Sequence, residues 1–64
     1  MKIKINGLYP QQKRWLREYI GEQEYYLHTE FGGQGWNFRW EQNSYQLYIA
    51  DDRLATLFLL KFGQ

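Results

Sequence analysis

Trp36-Asn37-Phe38-Arg39-Trp40-Glu41-Gln42-Asn43-Ser44-Tyr45-Gln46-Leu47-Tyr48-Ile49 is the stretch that decides the fold. Large apolar side chains recur at every second position on both sides of a polar break. That is the period of a strand with one face covered, and the break has turn chemistry. If Asn43 and Ser44 form a two-residue loop, Gln42 faces Tyr45, Trp40 faces Leu47 and Phe38 faces Ile49. Working backwards, Gly32-Gly33-Gln34-Gly35 reads as a second turn. Closed by Phe31 and Trp36, it sets Thr29 opposite Phe38 and Leu27 opposite Trp40. Both hairpins then carry their apolar residues on one side of one sheet, and a one-residue slip in either would break the match. The expectation is an antiparallel meander whose first strand runs from Glu24 to Phe31.

The flanks supply two helices and a further strand. Lys2 to Leu8 begins with alternating Lys and Ile, a short strand with Ile3 and Ile5 on one face. Pro10 stands where a first helical residue is tolerated and Gly21 where a helix ends. Trp15, Leu16, Tyr19 and Ile20 recur between them at helical spacing. Asp51 reads as an N-cap, with Asp52 near the positive end of the helix dipole, for a closing helix over 52–62 ended by Gly63. The chain is thus expected to form a single α+β domain over 1–64. Its two-layer order is β-α-β-β-β-α, with an antiparallel meander and both helices on one face.

Sixty-four residues leave a marginal core, since a chain this short buries only about 60% of its unfolded surface. Disulfides are excluded by the absence of Cys, and the lone His28 cannot complete a zinc site. Aromatic residues, at 20% of the chain, supply the bulk instead. Eight basic and seven acidic side chains give a net charge of +1, too balanced for a domain whose whole surface holds nucleic acid. No apolar run reaches the length of a membrane span, and the start of the chain lacks the apolar stretch of a signal peptide. An intracellular, cytoplasmic protein without membrane association is expected.

Catalysis finds no foothold in the pattern. Capping accounts for Asp51 and Asp52, Ser44 lies in a turn without a nucleophile elbow, and there is no Cys nucleophile. The glycine-rich turn joins two strands and carries no Lys, so it offers no helix N-terminus to a phosphate. The expectation is a non-enzymatic protein with no cofactor and no metal.

Three surfaces remain as binding candidates. On the outer face of the sheet the expected register aligns His28, Arg39 and Tyr48, with Tyr26, Glu41 and Gln46 in the next row. Bases stack on aromatic and guanidinium planes, so such a face suits single-stranded nucleic acid. Ordinary cross-strand pairing explains the same rows, and Glu30 and Glu41 would repel phosphates. On the first helix, Lys13, Arg14 and Arg17 form a basic stripe. It could meet nucleic acid or an acidic protein, or be the solvated face of any amphipathic helix. On the last helix, Leu54, Ala55, Leu57, Phe58, Leu59, Leu60 and Phe62 cover on the order of 260°, more than packing one face requires. Either the first helix flanks it, or the side carrying Leu59, Leu60 and Phe62 is a partner or homo-oligomer interface.

The segment Tyr45-Gln46-Leu47-Tyr48-Ile49-Ala50-Asp51-Asp52-Arg53-Leu54-Ala55-Thr56-Leu57-Phe58 resembles the tail of small accessory proteins of tailed phages. In those a strand is followed by an acidic cap and an Ala-Thr-Leu-Phe type helix. It covers about a fifth of the chain, and no functional residue is carried over from it. The resemblance implies an accessory protein that binds and inhibits a host protein. The expected function is a small protein-binding module, with single-stranded nucleic acid binding through the outer sheet face as the alternative.

Overall fold

The computed structural model describes residues 1–63. Strand β1 (Lys2–Ile5) leads into helix α1 (Pro10–Tyr19). Strands β2 (Gln23–Leu27), β3 (Glu30–Gly33), β4 (Trp36–Glu41) and β5 (Ser44–Ile49) follow, and helix α2 (Asp52–Phe62) closes the chain. The strands form one antiparallel sheet in the order β1-β5-β4-β3-β2. The α+β order and the meander agree with the sequence reading, with one refinement. The segment 24–31 folds back on itself at His28-Thr29 and contributes two strands, pairing Leu27 with Glu30 and Tyr26 with Phe31.

Both later hairpins pair two residues out of the expected register: the β3–β4 turn is two residues shorter, and the β4–β5 turn, still of two residues, sits one position earlier. Gln42 and Asn43 form the β4–β5 turn with φ of 53° and 63°, the pair of left-handed residues that a two-residue turn matching strand twist requires. Gln34-Gly35 forms the β3–β4 turn, with Gly35 at φ 82°. Phe38 therefore faces Leu47 and Phe31, and Trp36 faces Ile49 and Gly33. A shift of two preserves which side each residue points to, so the expected faces of β4 and β5 stand. Gly33 belongs to β3 rather than to the turn, and a Cβ there would run into the Glu22 carbonyl.

The helices begin and end on local signals. The Gln12 side-chain oxygen accepts from the Tyr9 N–H at 2.8 Å, and Pro10 occupies the first turn of α1. Asp51 Oδ1 accepts from the Arg53 and Leu54 N–H groups at 2.9 and 3.2 Å. Gly63, left-handed at φ 66°, stops α2 by donating to the Leu59 carbonyl. Both helices pack on the Trp36–Leu47 side. The core is Ile3, Ile5, Leu16, Trp36, Phe38, Leu47, Ile49, Ala55 and Phe58. Burying a side chain the size of Trp36 or Phe58 contributes about 1.5–3 kcal/mol. The Trp36 Nε1–H donates to the Gly21 carbonyl at 2.7 Å, tying the end of α1 to β4. Trp15 meets Phe58 and Phe62 edge-on at centroid distances of 5.7 and 6.3 Å, joining the two helices.

Candidate functional site: an uncovered aromatic floor

The sheet is longer than the helix layer above it. At one end of the helix-side face Ile49, Leu47 and Trp36 are sealed. Towards the other end the same face continues through Phe38 into rings that nothing covers. Tyr26 is 71% exposed, Trp40 47% and Tyr45 39%, whereas Leu27, expected opposite Trp40, pairs with Glu30 on the other face. The rings form a continuous path across four strands. Tyr26 stacks on Phe31 (centroids 5.7 Å apart), Phe31 meets Phe38 at 5.3 Å, Phe38 stacks on Tyr45 at 5.1 Å, and Tyr45 meets Trp40 edge-on at 4.8 Å. His28 and Thr29, in the β2–β3 turn, form one lip of this groove. Lys13 of α1 stands over the Phe31 ring, its Nζ 4.8 Å from the centroid.

This arrangement corrects the expected outer face. The reversal at His28-Thr29 turns Tyr26 to the helix side of the sheet, opposite Phe31, and places His28 in a turn. Arg39 and Tyr48 do lie on the open face, but in neighbouring rows: Arg39 opposite Gln46 and Glu30, Tyr48 opposite Asn37 and Lys2. Tyr25, two residues before Leu27 and so expected on the apolar side with it, occupies this open face instead. Its hydroxyl donates to Glu30 Oε2 at 2.6 Å.

Most of the charge on the open face is paired internally, Lys4 opposite Gln46 being the exception. Arg39 lies 3.4 Å from Glu30 and 3.6 Å from Glu41, and Lys2 lies 3.1 Å from Glu41. The hydrogen bond from Lys2 and its positive charge hold the Glu41 carboxyl below the ordinary glutamate range. The bond to Glu30, with burial and the carboxylate's charge, raises the Tyr25 hydroxyl above the ordinary tyrosine value. Asn37 Oδ1 is buried without a partner on the same strand row. These are pairs that stabilise a sheet face. Of the basic side chains on this face, Lys2 and Arg39 are held by carboxylates and only Lys4 is left to meet a phosphate.

The expected basic stripe on α1 also divides. Lys13 turns towards the aromatic floor, Arg17 pairs with Glu22 at 3.1 Å, and Arg14 is exposed. On α2, the expected Leu59, Leu60 and Phe62 side is split: Leu59 and Phe62 pack against the core, whereas Leu60 is 76% exposed. Leu57 and Leu60, with Trp15 and Tyr19, border a second, shallower apolar groove between the helices. The expectation that α1 flanks α2 is met, and Leu57 and Leu60 remain exposed beside it.

Among the described residues no group of three or more His, Cys, Asp or Glu could hold a metal, and no helix is long and apolar enough to cross a membrane. Comparison with protein-family models, curated proteins and solved structures finds no match. The aromatic floor was hidden in the sequence by the unsignalled reversal before it. One signal pointed to it: Trp40 and Tyr45 pair next to the β4–β5 turn, at the opposite end of the hairpin from the sealed Trp36 and Ile49.

Proposed function

We propose that this chain is a small protein-binding module that holds an apolar segment of a partner protein on the floor formed by Tyr26, Phe31, Phe38, Tyr45 and Trp40. One observation carries the reading. A single sheet face is sealed at Trp36, Leu47 and Ile49 and left open at Tyr26, Trp40 and Tyr45. In a domain with so little core to spare, exposed rings at Tyr26, Trp40 and Tyr45, linked through the half-buried Phe31 and the buried Phe38, are retained at a cost in stability, and such surfaces mark interaction sites. Aromatic side chains also suit the task, giving large rigid contact area with few rotatable bonds.

The reading is one of recognition without chemistry. The resemblance of the 45–58 segment to phage accessory proteins gives it a direction, in which the bound segment belongs to a host protein whose activity is altered by occupation. The experiment is a paired capture using the immobilised chain and a Tyr26→Ser/Trp40→Ser variant whose fold is verified by circular dichroism. A protein retained by the parent and released by the variant supports the module. Equal retention by both places binding elsewhere and contradicts it.

A further inference from the structure

The charges bordering the floor are unevenly matched, and the imbalance says what chemistry the bound segment carries. Glu30 borders the groove, but its carboxylate is satisfied on the opposite face by the Tyr25 hydroxyl at 2.6 Å and Arg39 at 3.4 Å. Lys13 makes no ion pair among the described residues. Its ammonium lies over Phe31, the second ring of the floor, at 4.8 Å from the centroid. Neither does α1 offset that charge: its first turn contains no acidic residue, so the positive end of the helix dipole adds to Lys13. The side chain is half-buried, which limits screening of its charge by water and salt.

We infer that the partner segment is an acidic–apolar peptide, one whose aromatic or aliphatic residues lie on the floor while an adjacent Asp or Glu pairs with Lys13. This inference rests on the function proposed above and narrows it to a class of ligand. A protein segment fits better than nucleic acid. One unmatched ammonium at the floor neutralises a single carboxylate, whereas nucleic acid binding gains most of its affinity from neutralising many phosphates.

The test is selection from a random linear-peptide library against three folded proteins: the parent chain, Lys13→Glu, and Tyr26→Ser/Trp40→Ser. The expected result is enrichment by the parent of peptides with Asp or Glu next to aromatic or aliphatic residues. Lys13→Glu loses the acidic preference and the floor variant selects none of them. Lys13→Gln, which removes charge without reversing it, lowers affinity for a selected peptide about two- to fivefold, the range of a partly exposed ion pair. Raising the salt concentration weakens the parent and leaves Lys13→Gln almost unchanged. Floor-dependent peptides with no acidic bias would overturn the inference and leave the binding module standing. Absence of any floor-dependent peptide would overturn both. Tighter floor-dependent capture of a single-stranded oligonucleotide than of any peptide would overturn both as well.

Discussion

Tyr26 lies stacked on Phe31, centroids 5.7 Å apart and ring planes only 10° from parallel, so the edge strand β2 presents its aromatic side to the helix face of the sheet. The stack extends the floor past the last helix contact, yet Tyr26 itself is mostly in water. Replacing it should therefore separate binding from folding. Tyr26→Ser is expected to cost no more than about 1 kcal/mol, the worth of one exposed aromatic pair, while reducing partner capture strongly. Urea denaturation of parent and variant checks the first half, and the capture assay the second.

Gln42 occupies the left-handed region at φ 53°, where a side chain without the local hydrogen bonding of Asn or Asp is disfavoured. Glycine carries no such penalty. Gln42→Gly should raise stability by about 0.5–1 kcal/mol through relief of the β4–β5 turn, read as a higher denaturation midpoint with an unchanged slope.

The Tyr25–Glu30 bond predicts an alkaline effect of definite sign. The folded chain holds the Tyr25 proton more tightly than the unfolded chain does. That contribution to stability is full below about pH 10 and is lost as pH rises through the raised folded-state value. Tyr25→Phe should remove one tyrosine that ionises late in an absorbance titration, and should flatten the alkaline fall in stability. Glu41 acts in the opposite direction. Its lowered value means that its contribution is present above the ordinary glutamate range and fades as pH falls through the folded-state value.

Phe58 and Leu60 are neighbours on α2 with opposite roles, the first sealed in the core and the second 76% exposed. Phe58→Ala should destabilise the domain by about 3–5 kcal/mol, enough to unfold much of a chain this small. Leu60→Ala should remain within about 0.5 kcal/mol of the parent. Parallel thermal melts distinguish the two.

Much of the fold was legible because its signals are local. Asp51, Gly63, Pro10 and Gly21 mark helix ends by capping and backbone freedom, and the Trp36-to-Ile49 alternation can satisfy only one choice of faces. The reversal at His28-Thr29 carried no such mark. Neither residue adopts a positive φ, so the turn needs no glycine or asparagine, and Tyr-Tyr-Leu-His-Thr-Glu-Phe reads as continuous strand. The glycines that seemed to announce the next turn serve partly as strand residues where the Glu22 backbone passes close to Gly33. That one missed reversal moved Tyr26 and His28 off the open face, and with them the surface first expected to bind. The exposure of Leu60 beside the partial burial of Phe62 was equally out of reach, because the seating of α1 against α2 depends on where Trp15 packs.

The three tryptophans report three different places: Trp36 in the core, Trp15 between the helices, and Trp40 on the floor. Their indole N–H resonances in a nitrogen-15 spectrum, followed during titration with a captured partner or a selected peptide, test the central claim most directly. Occupation of the floor should shift the Trp40 signal while the Trp36 proton, bonded to the Gly21 carbonyl, and the Trp15 proton stay in place. A saturable shift of Trp15 with Trp40 unmoved would contradict the account and move recognition to the groove between the helices.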